Sequence, residues 1–136
     1  MQKKYTLTIS ASFDELENIQ DLTEKIIKEH NIGEDLGNGF SLVLSEACSN
    51  AIKHGSNFDE SMSVHIAVEI TAELLKISVR DEGPGFNPAD VPDPLAPENL
   101  LKPSGRGVYL MKEYADNVSY NEQGNEIRIE FQRPEK

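Results

Sequence analysis

Residues 62–79 alternate apolar and other side chains with a period of two, in two successive runs. Met62, Val64, Ile66, Val68 and Ile70 would share one face, as would Leu75, Ile77 and Val79. Only an extended chain places every second residue on one side, so the two runs read as strands, and the TAE between them is short enough for a hairpin. Something has to cover the apolar face. Two segments with helical spacing precede the hairpin. Phe13, Leu16, Ile19, Leu22, Ile26 and Ile27 predict a helix over about 12–29, started by a Ser12/Glu15 capping box. Leu36, Phe40, Val43, Leu44, Ala47 and Ala51 predict a second, beginning at about 35 or 39 and running to 54, before Gly55. The NIGEDLGNG stretch between them, with three glycines and Asn31, reads as a turn.

Tyr5, Leu7 and Ile9 alternate with threonines as a first strand; Val118 with Tyr120, then Ile127, Ile129 and Phe131, close the chain as two more. Residues 81–105, DEGPGFNPADVPDPLAPENLLKPSG, hold six of the seven prolines and read as a long loop, followed by a helix from Ser104 to about Tyr114. The expected fold is a two-layer α/β (α+β) sandwich. It has three main helices on one face of a mixed, largely antiparallel sheet, in a single domain over residues 1–136.

Composition narrows the function. With 13 Lys and Arg against 24 Asp and Glu, the net charge is −11, which argues against nucleic acid or an anionic membrane surface as the main partner. One cysteine, Cys48, allows no internal disulfide, so packing alone must hold the fold, as suits a reducing compartment. Neither a secretory leader nor an apolar run of about 18 residues is visible, and the expected setting is the cytoplasm.

Three short segments carry chemistry. In SEACSNAIKHG, Glu46, Asn50 and His54 recur at every fourth position. With Val43 at zero they lie at roughly −60°, −20° and +20°, beside an apolar stripe centred at about +50°. A polar row at the rim of the core face can receive a ligand: Glu46 can accept a hydroxyl proton and Asn50 can offer a hard oxygen to Mg²⁺. The row could equally line a polar groove or cap the helix end. Lys53 is either solvent-facing or a phosphate contact, and His54 a hydrogen-bonding group near the Gly55 turn. In DEGPGF, Asp81 stands at a strand end as an acceptor suited to an exocyclic amine. Gly83 and Gly85 permit close backbone approach, although the same residues make an ordinary tight turn. In SGRGVYLM, Ser104 can cap a helix, Gly105 and Gly107 leave room for phosphate oxygens, and Arg106 faces a phosphate, a partner or solvent. The glycine patterns of dinucleotide folds and Walker loops are absent.

Taken in order, the three segments resemble the nucleotide boxes of the Bergerat-fold (GHKL-type) ATPases. LSEACSNAIKHG is similar to the first box, DEGPGF to the second and GRGVYLM to the glycine box after the lid. SEACSNAIKHG and DPLAPENLLKPSGRGVYLM resemble, more narrowly, the bacterial anti-sigma-factor serine/threonine kinases. The resemblance implies Glu46 as general base, Asn50 as Mg²⁺ ligand and Asp81 as the carboxylate that recognises the adenine amine. Gly83, Gly85, Gly105 and Gly107 are then nucleotide-binding glycines and Arg106 a phosphate contact. A lid over about 84–103 would include Glu98 and Asn99, to which the chemistry gives no role. ATP and Mg²⁺ are the implied cofactors. An anti-anti-sigma (STAS-type) protein bearing the acceptor serine or threonine and a sigma factor are the implied partners; related proteins often form homodimers. Two other readings share the fold: an ATP-binding module acting by partner sequestration without catalysis, and a detached ATP-binding domain of a sensor histidine kinase. Against the latter, none of His30, His54 and His65 falls mid-way along a long pairing helix.

Overall fold

The computed structural model describes residues 2–57, 59–83 and 111–133, apart from the side chain of His54. Strand β1 (Lys3–Ser10) leads into a short 3₁₀ turn (Phe13–Glu15) and helix α1 (Leu16–Glu29). Helix α2 (Glu34–Asn50) follows and ends in a π-helical turn (Ala51–Gly55). Then come β2 (Ser63–Ile70), β3 (Leu74–Asp81), β4 (Asn117–Tyr120) and β5 (Glu126–Gln132). Residues 111–114 are helical; the rest of the helix expected from Ser104, and the expected lid, lie outside the described residues.

The strands form one sheet in the order β1-β2-β3-β5-β4, and all its pairings are antiparallel. Its register stacks the apolar alternates into a single face: Ile66 opposite Val79, Val68 opposite Ile77, and Ile77 opposite Ile129. These residues are buried, as are Ile19 and Ile26 of α1 and Phe40, Val43, Leu44, Ala47 and Cys48 of α2. Truncating one such Ile or Leu to Ala would cost about 2–5 kcal/mol, so this face supplies most of the fold's cohesion.

Two local expectations need correction. Regular α-helix begins at Leu16, not at about residue 12. Ser12 caps the 3₁₀ turn by accepting Asp14 N–H at 3.2 Å, while Glu15 reaches past it to accept Ser10 N–H at 3.3 Å. The capping pair therefore fastens the end of β1 to the helix entry rather than closing on itself. Helix α2 begins at Glu34, next to the earlier of its two expected starts, so only the first residues of the NIGEDLGNG stretch form a turn and Gly37 and Gly39 lie inside the helix. A Cβ on Gly37 would sit 3.4 Å from Ile27 Cδ1, and one on Gly39 3.4 Å from Tyr114 Cδ1 and 3.5 Å from Phe131 Cε1. Each glycine costs about 1 kcal/mol of helix propensity, which the close approach of α1 and the sheet offsets.

Candidate functional site

Helix α2 carries Glu46 and Asn50 one turn apart, both half-buried. Immediately beyond Asn50 the helix widens. Ala51 N–H is shared between the carbonyls of Ala47 and Cys48, and Ser56 N–H donates five residues back to Ala51 O at 2.9 Å. Such a π-turn changes the direction of a helix end. Here it brings Gly55 against the end of β3.

The contact is too close for a side chain. A Cβ on Gly55 would lie 2.2 Å from Asp81 Oδ2, and one on Gly83 2.0 Å from the Gly55 carbonyl oxygen. Asp81 sits on the inward side of β3, in step with Leu75, Ile77 and Val79, and pairs in register with Val64 of β2. It is only 8% exposed. Its Oδ1 accepts Gly83 N–H at 2.8 Å; Oδ2 has no hydrogen-bond donor among the described residues. Burial holds this carboxyl above the usual Asp range, the backbone N–H groups of Gly83 and Asp81 opposing the shift in part. An acceptor-only oxygen on a largely buried carboxylate suits a neutral N–H donor such as an exocyclic amine.

The turn between β4 and β5 steadies Asp81 from behind. Asp81 N–H donates to Asn125 O at 2.9 Å. Asn121 Oδ1 accepts the N–H groups of Gly124, Asn125 and Glu126 at 2.8, 3.1 and 3.2 Å, and its amide donates to Asn125 Oδ1 at 2.8 Å. Glu82 turns to the other face of the sheet, accepting Ser63 N–H at 2.9 Å and His65 Nε2–H at 3.1 Å. Asp81 and Glu82 are thus consecutive carboxylates with opposite surroundings, as strand parity demands.

Of the residues anticipated for a site, the structure brings Asp81 and Gly83 against the end of the helix that bears Glu46 and Asn50. Gly85, Gly105, Arg106 and Gly107 lie outside the described residues, as do Glu98 and Asn99. Gly55 was expected only to stop a helix, and Ser56, Asn121 and Asn125 were not singled out. For Gly55 the signal was the glycine itself. The two asparagines flank Gly124, a common turn pattern with no chemical signature.

Ser56 stands apart: it is 2% exposed, and its hydroxyl has no hydrogen-bond partner among the described residues. Leaving a buried hydroxyl unpaired costs about 1–3 kcal/mol. As for a metal, no group of three or more His, Cys, Asp or Glu converges among the described residues. One amide oxygen from Asn50 fits Mg²⁺ held mainly by phosphates and water, not a caged Zn²⁺ or Ca²⁺.

Residues 9–131 match the histidine kinase-like ATPase domain family. The chain belongs to that family. Among curated relatives of this ATPase domain is the anti-sigma F factor of Geobacillus thermodenitrificans, 39% identical over 80 residues, a stretch covering 56% of this chain and 53% of the relative. The anti-sigma F factor of Anoxybacillus flavithermus is 38% identical over 88 residues, covering 62% and 59%. The matched stretch thus spans little more than half of those relatives. Among solved structures, the RsbU and RsbW domains of a Mycobacterium tuberculosis protein share the fold, with a TM-score of 0.67 at 12% identity over 96% of this chain and 32% of that one. None of the helices in the described part of the domain is long and apolar enough to cross a membrane.

Proposed function

We propose that this ATPase domain is an anti-sigma factor and protein serine/threonine kinase. In this reading it transfers the γ-phosphoryl group of ATP to a hydroxyl of a small anti-anti-sigma protein and thereby sets the availability of a sigma factor. The observation that carries the nucleotide half is the desolvated Asp81 carboxylate, fixed by Gly83 and Asn125 and walled by Gly55 at the end of the Glu46/Asn50 helix. The regulatory half is supported by the anti-sigma F factors among its relatives.

Each residue then has a distinct task. Asp81 accepts the adenine amine through Oδ2 and rejects a base that presents a carbonyl there. Glu46 accepts the proton of the attacking hydroxyl. Asn50 would hold Mg²⁺, which when bound offsets charge on the phosphates. The protein's own contribution is alignment: a helix and a strand end locked together by a glycine contact hold base and phosphates in fixed relation.

Calorimetric titration with ATP, with and without Mg²⁺ and with GTP as control, tests the nucleotide half. Adenine-selective, magnesium-enhanced binding is expected. Mass spectrometry of a candidate anti-anti-sigma protein incubated with the domain and Mg-ATP tests the kinase half. Glu46→Ala is expected to keep appreciable Mg-ATP affinity while cutting transfer by at least about 100-fold. Stable partner binding without phosphate on the partner would favour sequestration without catalysis.

A further inference from the structure

At the end of the sheet away from Asp81, the side chains of Lys3, Tyr5, Glu29, His30 and Arg133 meet. Lys3 begins β1 opposite Ile70, whereas Ser10, at the other end of that strand, lies opposite Ser63, next to the Val64 that pairs with Asp81. Tyr5 is buried, and its ring meets that of His30 edge-on with centroids 5.9 Å apart. Its hydroxyl donates to Glu29 Oε2 and lies 2.8 Å from His30 Nε2. Lys3 Nζ donates to the same Glu29 oxygen at 3.2 Å and sits 5.0 Å from the centre of the Tyr5 ring. Arg133, just past β5, joins these groups to the β2–β3 hairpin. Its Nη2 donates to His30 O at 3.4 Å, its Nη1 to Thr71 O at 2.8 Å and its backbone N–H to Glu73 O at 2.8 Å.

Counting protons fixes how these groups pair. A phenol has one proton, and Tyr5 gives it to the Glu29 carboxylate, which the bonds from Tyr5 and Lys3 hold ionised below the usual Glu range. Toward His30 the Tyr5 oxygen can therefore only accept, so Nε2 carries a hydrogen. Neutral His30 meets that demand and leaves Nδ1 bare, without a partner among the described residues. A second proton would go to Nδ1 and make a cation. The C-terminal end of a helix ordinarily favours such a cation. Here the Arg133 guanidinium already holds the His30 carbonyl, and Lys3 adds a second positive charge. Glu29 favours the cation but is shared with Tyr5 and Lys3, and Lys25 acts on it as well. Partial burial, then Arg133 and Lys3, hold the imidazole below the usual His range.

We propose that the Tyr5–Glu29–His30–Arg133 cluster is an acid-sensitive latch: with His30 neutral it fastens the chain after β5 to the end of α1, and a proton on His30 Nδ1 releases Arg133. The latch is independent of the nucleotide reading, since Asp81 lies at the opposite end of β2 and its pairing with β3. The direction follows from the bonds, because protonation sets a cation beside the guanidinium that holds the His30 carbonyl. Above about pH 6.5, His30 is neutral in both the folded and the unfolded chain, and the latch is complete. As pH falls below that value, the unfolded chain takes up the proton more readily than the folded one, and stability is lost. The release is local. Arg133 leaves Glu73, His30 and Thr71, while the buried Ile19 and Ile26 keep α1 on the sheet.

The test uses the full chain, His30→Gln and Arg133→Gln, followed from about pH 7.5 to about pH 5.5, where a histidine titrates. Glutamine keeps a neutral N–H donor near the Nε2 position and takes up no proton. Across this range the parent is expected to lose about 1–3 °C more in Tm than His30→Gln. Proton NMR of the parent, with His30 identified by its contact with the Tyr5 ring, should show His30 titrating below about 6.5, and Arg133→Gln should move that midpoint upward. The protection of the Arg133 amide against hydrogen exchange, corrected for intrinsic pH dependence, should fall at least about threefold as His30 takes up its proton. Equal pH dependence of the parent and His30→Gln overturns the proposal. So does a His30 midpoint at or above 6.5, one that Arg133→Gln leaves in place, or Arg133 protection that is constant through the titration. If a variant fails to fold, the parent's own His30 titration and Arg133 protection decide.

Discussion

Gly83→Ala tests the contact on which the site depends. The added Cβ would lie 2.0 Å from the Gly55 carbonyl oxygen, 2.9 Å from the Gly55 carbonyl carbon and 3.0 Å from Asp81 Oδ1. A carbon rests about 3.3–3.6 Å from a carbonyl oxygen, so the π-turn and the end of β3 must separate by about 1.3 Å or more. Neither side has a flexible tip to move. Overpacking of this kind costs about 1–3 kcal/mol, and losing the 2.8 Å bond from Gly83 N–H to the Asp81 carboxylate adds about 1 kcal/mol or more. The sum is about 2–4 kcal/mol. For a chain of 136 residues the unfolding entropy is about 0.3 kcal/mol/K, giving a fall in Tm of about 7–14 °C. Differential scanning calorimetry measures that fall. Calorimetric titration should in parallel show at least about tenfold weaker ATP binding, because Asp81 moves with Gly83. Gly33→Ser is the control. Nothing lies within 4 Å of a Cβ there, and a serine at this N-cap changes stability by only a few tenths of a kcal/mol, about 1–2 °C. If Gly83→Ala shifts Tm no more than the control and leaves ATP affinity intact, the close packing of Gly83 on Gly55 does not exist in solution.

Two further substitutions probe the same residues by other routes. The carboxyl of Asp81 is raised above its ordinary value of 3.8 by burial, so its ionised form disfavours the folded state at neutral pH and protonation relieves the penalty. Asp81→Asn should therefore raise the ligand-free Tm at pH 7, with the gain shrinking as pH falls toward 4. A gain independent of pH in thermal melts would contradict a desolvated carboxylate. Asn121→Ala removes the acceptor of three backbone N–H groups behind Asp81 and should cost about 1–3 kcal/mol, a fall in Tm of about 4–10 °C. It should also weaken ATP binding, through Asn125; unchanged affinity in titration would show that this turn does not steady Asp81.

Most of the layer architecture was legible because it follows from period and parity. Leu75, Ile77 and Val79 point inward, and counting two further would have put Asp81 on the inward side as well. Gly55 was legible only as a helix terminator. Its reason, a carboxylate from β3 occupying the space of its Cβ, depends on two segments some 25 residues apart meeting. Gly37 and Gly39 misled the expectation for the same cause: propensity reads them as a turn, whereas contacts with Ile27, Tyr114 and Phe131 determine their use. The insertion of β5 between β3 and β4 was likewise hidden, since an apolar alternation carries no information about which strand will lie beside it.

The costs in this fold are unevenly distributed. The sheet and helices bury most of their apolar side chains against one another, and Thr23, which lies buried among them, bonds its own helix. The departures fall within one stretch of α2 and its apposed strand end. They comprise a widened helical turn, two glycines pressed together beyond the tolerance of any side chain, a largely buried carboxylate with one oxygen engaged, and a hydroxyl without a partner among the described residues. Burial of the Asp81 carboxylate opposes folding at neutral pH, so selection for stability alone does not explain it. A ligand whose N–H meets the free Asp81 oxygen would recover that cost on binding. Its stabilisation of the fold would exceed what its contacts at Glu46 and Asn50 provide, and would be lost with a base that leaves the Asp81 oxygen unmatched.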